Sequence, residues 1–424
     1  MPGDKVASYH ALLLASLAVG ESRIAGLPEH NNVLRMASVL RALGAEITRE
    51  ARGTWHVTGR GIGGLQEPEG VLDMGNSGTA ARLICGTLAS HDLFATVTGN
   101  ASLRRRPMRW MTDMLQDCGA RFQRPADAWL PLAMQGARHA VPIERRLSEQ
   151  AAPAKSALLL AGLNAPGLTR ITEEAPTCDR GARLLRHFGA DVEVEVCGDG
   201  YATGVMGQPE LRAADLTVPG DLSLAAFPLV AALIVPGSAV TVRGVAMDAR
   251  RGRLLAALRG MGAHLETTEE RLESGGPVAD ITATHTGLHG ADVPKAQAGS
   301  MADDDPILAV AAACAVGATR MEGRAAPRAG GVLLSATLAM LRLSGVRVEE
   351  AGDGVVVHGT GAAPARGVRL EAGMASRVAL CGLVLNLAAA TSAQTDAAGI
   401  EAAGIEEDFP GILALLRQIG APRV

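Results

Sequence analysis

One short unit recurs six times along the chain, and that recurrence limits the fold more than any other feature. Its copies read Leu40-RALGAEI, Leu115-QDCGARF, Leu185-RHFGADV, Leu258-RGMGAHL, Leu341-RLSGVRV and Leu416-RQIGAPR. Their glycines, Gly44, Gly119, Gly189, Gly262, Gly345 and Gly420, follow one another at spacings of 75, 70, 73, 83 and 75 residues. Each copy predicts a helix closed by glycine in the left-handed C′ position and followed by a strand, as in Ala190-DVEVEV and Val346-RVEE. Alternating segments ahead of the helices, such as Ala95-TVTGN and Ala239-VTVRG, predict half-buried strands. The lengths fit six βαβαββ-like units of about 70 residues, an α/β fold.

A second symmetry lies above the first. Pro2-GDKVASYHALLLASLAVG aligns with Pro219-GDLSLAAFPLVAALIVPG at a constant offset of 217. At 424 residues the chain is long for one core. It therefore divides into an N-terminal lobe, 1–217, and a C-terminal lobe, 218–424, of three repeats each. The cleft between two such lobes is the expected place for a small-molecule substrate.

Composition removes several functions. Aromatic residues make up 2% of the chain and the formal charge is −4, so neither stacking platforms nor a basic surface is available for nucleic acid. No apolar run reaches the roughly 18 residues of a membrane span. The apolar stretch Ala11–Val19 lacks the basic flank of a signal peptide, which predicts a cytoplasmic protein. The six cysteines are scattered without metal-ligand spacing, and are expected as buried free thiols.

Three segments carry chemistry. Met74-GNSGTAARL places glycines and hydroxyls ahead of an apolar helix, where backbone N–H groups and the helix N-terminus suit an anion; a plain capped turn is the alternative. Ser102-LRRRPM offers guanidiniums for bidentate contact with phosphate or carboxylate, unless it is solvated surface. Lys5 is one of three lysines, with Lys155 and Lys295, among 40 basic residues.

Together with Pro2-GDK, Lys155-SALLLAGLNAPG, Met301-ADDDPILAVAAA, Ser376-RVAL and Asp408-FP, these segments occur in the order found in EPSP synthases, which the chain resembles over nearly its whole length. The resemblance implies the two-domain inverse α/β barrel of the enolpyruvyl transferases. It also implies transfer of the carboxyvinyl group of phosphoenolpyruvate to an alcohol, through a ketal that expels phosphate, without metal or cofactor. By the same resemblance Lys5 matches the lysine at phosphoenolpyruvate, and Asn76, Gly78 and Thr79 match the anion loop. Arg82 and Arg106 match arginines of that site, Asp303 the aspartate that accepts the alcohol proton, and Arg377 an arginine for the carboxylate.

Other positions depart from the pattern. Val6 and His10 stand where the family has serine and arginine, and Ala151 and Pro153 where S-x-Q cradles a phosphate. Ala329, Gly330 and Leu333 stand in place of a lysine, an acid/base glutamate and an arginine, and Ala403 in place of a C-terminal lysine. Each lost charge-assisted contact removes roughly 1.5–3 kcal/mol. The expectation is a divergent paralogue acting on a small anionic substrate other than shikimate-3-phosphate, with His10 as a replacement acid near neutral pH. A structural buried histidine is the competing role. An authentic EPSP synthase and a non-catalytic binding relative are the alternative readings of the whole chain.

Overall fold

Glycine with positive φ closes the helix of each of the first five repeats: Gly44, Gly119, Gly189, Gly262 and Gly345 have φ between 82° and 102°. Only glycine enters that region without a Cβ penalty, so the spacing seen in the sequence is a spacing of helix ends. The computed structural model describes residues 1–50, 53–106, 108–125, 130–174, 180–197, 200–247, 252–295, 301–324, 331–371, 373–389 and 404–419. Gly420 lies outside them.

The chain forms two compact units. The N-terminal unit comprises Gly3–Pro219 with Leu272–Gly276; the C-terminal unit comprises Met1–Pro2, Gly220–Arg271 and Pro277–Val424. Helices of the first are α1 (Lys5–Leu17), α2 (Asn31–Ala42), α3 (Gly78–Ala89), α4 (Ala101–Arg104), α5 (Arg109–Leu115), α6 (Lys155–Gly162) and α7 (Arg180–His187). Those of the second are α8 (Leu222–Ile234), α9 (Gly252–Gly260), α10 (Asp305–Cys314), α11 (Gly331–Leu343) and α12 (Ser376–Ala388), followed by two short C-terminal helices.

Among the described residues, four of five sheets share one plan. In the N-terminal unit the strand orders are Leu216–Thr217, Val19–Ala25, Trp55–Arg60, Glu46–Arg49; then Leu72–Asp73, Phe94–Thr98, Leu132–Gln135, Arg121–Gln123; then Glu144–Leu147, Leu168–Glu173, Gly200–Met206, Val192–Cys197. In each, the first pair is parallel and the rest antiparallel. The sheet Asp292–Val293, Val316–Met321, Gly354–Thr360, Arg347–Ala351 repeats the plan in the C-terminal unit. The fifth sheet has three strands, and a single parallel bridge from Gly220 to Val245 stands where the short strand would be. Each sheet thus packs one face against helices, as alternating strands from a βαβαββ unit require.

Each unit has its own core of Leu, Ala, Val and Ile, with Phe188, Phe227 and Phe409 among the largest fully buried side chains. The sequence duplication reappears as two equivalent helices, since α1 and α8 span thirteen residues each at the offset of 217. No described helix is long and apolar enough to cross a membrane. Cys85, Cys118, Cys197, Cys314 and Cys381 are free thiols; Cys197, on an outer strand, is exposed rather than buried, and Cys178 lies outside the described residues.

Candidate active site

The glycine-rich segment forms a tight entry into α3. Gly75 has φ +57°, a conformation that favours glycine, and the Arg35 side chain packs against it, 2.6 Å from where a Cβ would stand. Ser77 caps the helix, its side chain accepting the Ala80 N–H at 3.1 Å. Asn76 and Thr79 then face the arginines. Arg106 Nη2 donates to Asn76 Oδ1 at 3.0 Å, and Arg82 Nη2 donates to Thr79 Oγ1 at 3.0 Å. A Cβ on Gly78 would stand 3.5 Å from Nη1 of both arginines, which places the bare backbone of the first turn between two guanidiniums. Burial, and then the charge of Arg106, lower the Arg82 pKa to about 10. Its Nε is buried without a hydrogen-bond partner, and no carboxylate pairs with either arginine among the described residues. Two like charges held at the positive end of a helix make a place where an anion would be favoured.

Lys5 belongs to the same unit, at the first turn of α1. Its Nζ lies 3.2 Å from Nε2 of His30, the cap of α2. Asn32 of α2 in turn receives the Asn76 N–H on Oδ1 at 3.3 Å, so Lys5, the Asn76 loop and Arg106 belong to one network. Asp4 caps α1 by accepting the Ala7 N–H and takes Arg180 Nη1 at 2.5 Å, both residues being buried. Arg180 is a cation that the motifs did not announce; its partner is 176 residues away in sequence.

His10 points elsewhere. It sits on the buried side of α1, where a Cβ on Gly181 would come within 3.0 Å of Nε2, and Nδ1 donates to Val6 O at 2.9 Å. Desolvation, the largest effect, drives its pKa down to about 4, against the raising influence of the Val6 carbonyl. At neutral pH the ring is therefore neutral with its proton on Nδ1, and Nε2 can accept but not donate. That geometry gives the replacement acid expected of His10 no support and fits the competing role of a buried histidine, because the tertiary fold strips the ring of water.

Asp303 and Arg377 lie in the C-terminal unit and are brought together. Arg377, at the start of α12, donates Nη1 to the Asp303 carbonyl at 3.2 Å, and the Asp303 side chain is exposed. The turn carrying Asp303 is anchored from within. Asp305, first residue of α10, receives Arg324 Nε at 2.9 Å, and Arg324 Nη1 donates to Glu322 O at 2.7 Å, with both side chains buried. Burial pushes the Asp305 carboxyl up to about 6 in spite of Arg324. Ala151 and Pro153 lie in the helical turn before α6, and Leu333 in α11. Ala329, Gly330 and Ala403 lie outside the described residues. No cluster of three His, Cys, Asp or Glu side chains among the described residues is placed to hold a metal.

Residues 1–412 match the family model described as EPSP synthase (3-phosphoshikimate 1-carboxyvinyltransferase). The chain belongs to the EPSP synthase family. Curated 3-phosphoshikimate 1-carboxyvinyltransferases from Granulibacter bethesdensis and Acidiphilium cryptum are each 51% identical to it, over 99% of this chain and 92% and 94% of theirs. The solved EPSP synthase of Acinetobacter baumannii superposes with a TM-score of 0.88 at 30% identity, over 99% of this chain and 94% of the other. The enolpyruvyl transferase NikO of Streptomyces tendae shares the fold, with a TM-score of 0.74 at 17% identity. Like the rest of the EPSP synthase family, this protein is a carboxyvinyl transferase.

The expectation of a paralogue with another substrate does not stand. Full-length relatives at 51% identity carry the name of the shikimate enzyme itself, and the non-catalytic alternative falls with the transferase assignment. Arg180 belongs to none of the sequence motifs, and the fold brings it from α7 to Asp4.

Proposed function

We propose that this EPSP synthase family member is a 3-phosphoshikimate 1-carboxyvinyltransferase, acting on phosphoenolpyruvate and shikimate-3-phosphate. The observation that carries the reading is the pair Arg82 and Arg106 converging on the N-terminus of α3 without a carboxylate partner among the described residues, in a chain 51% identical to curated enzymes of that name. In this reaction the acceptor hydroxyl adds to C2 of phosphoenolpyruvate while C3 takes a proton; the ketal then loses phosphate and a C3 proton. A dianionic phosphate suits two guanidiniums, the Lys5 amine and the amides of the first turn, each charge-assisted contact contributing about 1.5–3 kcal/mol. The exposed Asp303 carboxylate is available as acceptor of the hydroxyl proton. Arg377 holds the Asp303 backbone and keeps further N–H groups for a substrate carboxylate.

The test is phosphate release by the purified full-length chain. Release should require both substrates together, and Arg106→Leu should lower kcat/KM by about a hundredfold, near 2.7 kcal/mol of barrier. Phosphate release that is absent with this pair, together with failure to complement a shikimate-pathway auxotroph, would overturn the assignment.

A further inference from the structure

The glycine-rich turn of the N-terminal unit has a twin in the C-terminal unit, and the two differ in what the first helical residue carries. Met74-GNSGT and Met301-ADDDP each close a turn on the carbonyl of their methionine, which accepts the N–H three residues on: Ser77 at 3.1 Å, Asp304 at 2.7 Å. A helix starts at the next residue, Gly78 in α3 and Asp305 in α10. Asp303 thus stands where Asn76 does, and Asp305 where Gly78 does. In the N-terminal unit the first helical position is bare backbone between two guanidiniums; in the C-terminal unit it carries its own carboxylate, and Arg324 takes it. That arginine follows Val316–Met321. Its Nε donates to Asp305 Oδ1 at 2.9 Å, Nη1 donates to Glu322 O at 2.7 Å and Val293 O at 3.4 Å, and Nη2 lies 3.9 Å from Met301 Sδ. It therefore clamps the first residue of the turn and the first residue of α10 to the ends of the parallel pair Asp292–Val293 and Val316–Met321. Asp303 lies between the two clamped residues, and α12 holds its carbonyl through Arg377. Stability gives little reason for such a pair. Two buried charges forfeit hydration, and apolar side chains of like volume serve a core as well or better.

We propose that Arg324 is a positioning residue for Asp303, fixing through Asp305 and Met301 the turn from which the Asp303 carboxylate meets the acceptor hydroxyl. This rests on the reading of Asp303 as the proton acceptor. Arg324 is buried and touches no reacting atom. What it contributes is geometry: a base acts only within hydrogen-bond reach of its proton, and a turn free to shift by about an ångström takes the carboxylate out of that reach. The guanidinium fork fixes directions that an apolar contact would leave free.

The test removes the pair without leaving a buried charge alone. In the full-length protein, Arg324→Met combined with Asp305→Leu replaces both charges by apolar groups and should keep the melting temperature. Its kcat for phosphate release from phosphoenolpyruvate and shikimate-3-phosphate should fall about tenfold, one decade of the roughly two to four that a positioned base supplies, with KM for phosphoenolpyruvate within about twofold. Calorimetric affinity for inorganic phosphate should not change. Arg324→Lys, which keeps a charge opposite Asp305 but lacks the fork, should lose about threefold in kcat. In an Asp303→Asn background the paired substitutions should alter kcat by less than about twofold, because their effect passes through Asp303. Deuterium exchange of the Asp304 and Asp305 amides should quicken about tenfold while that of Ser77 stays the same. A kcat within about twofold of wild type, a tenfold loss that persists in Asp303→Asn, or unchanged amide exchange would defeat the proposal. A wild-type protein that releases no phosphate, or Asp303→Asn with full turnover, would sink the functional reading instead, and amide exchange would still decide whether the pair holds the turn.

Discussion

α1 and α8 are two copies of one helix that have come to do different work. Both span thirteen residues, both are capped by an aspartate, Asp4 or Asp221, and both start from the same exchanged backbone contact: the Asp4 N–H donates to Pro219 O, and the Asp221 N–H to Pro2 O. At the offset of 217, Lys5 becomes Leu222 and His10 becomes Phe227. Every residue of α8 is buried, whereas Lys5 and Val6 of α1 remain partly open. The capping aspartate and the apolar stripe are what the fold needs, and both copies keep them. The lysine is what the proposed chemistry would use, and one copy has it.

The largest effect expected from this contrast is in α8. Phe227→Ala should destabilise the protein by about 3–5 kcal/mol in urea unfolding, because a fully buried ring leaves a cavity that helices on both sides cannot fill. A loss below about 1 kcal/mol would mean that α8 is not the core helix its burial makes it.

His10, the counterpart of Phe227, should show itself through pH. Its pKa is near 4 folded and 6.5 unfolded, so between those values the unfolded chain takes up a proton that the folded chain refuses. Stability should therefore fall as pH is lowered from 6.5 to 4, by up to about 3 kcal/mol, and His10→Gln should flatten that slope. Parallel slopes for the two proteins would show that the ring is solvated.

The smallest effect in energy is the sharpest in function. Lys5→Ala should lower kcat/KM by more than about tenfold, near 1.4 kcal/mol of barrier, with no loss of thermal stability. A stability loss without a rate loss would make Lys5 no different from Leu222.

The repeat was legible because a glycine at positive φ is a backbone requirement, visible in sequence wherever it occurs: Gly44 and Gly345 announce their helix ends without help from the rest of the chain. The glycine-rich turn into α3 was legible for a similar reason, since Asn76, Gly78, Thr79 and Arg82 are local to one turn and Arg106 follows in the same repeat. Arg180 and Arg324 were not, because their partners Asp4 and Asp305 meet them only through tertiary packing. The burial of His10 was hidden for the same cause: its protonation depends on exclusion from water, which nothing in the segment KVASYH reveals. His30 could have been found as a cap, from its place just before Asn31-NVLRMASVLRA, but its contact with Lys5 depends on how α1 lies against α2.

The pairing of Val19–Ala25 with Leu216–Thr217 also orders events during synthesis. Ile24 aligns with Leu216, and the Arg23 N–H donates to Asp215 across 192 residues of sequence. As the chain leaves the ribosome, Val19–Ala25 acquires its antiparallel neighbour within a few tens of residues, while its other edge waits for a segment 192 residues further along the chain. For that interval an open β edge is presented to the cell, a template for mispairing. The short parallel strand that closes it acts as a latch, set only after all three repeats of the unit have emerged.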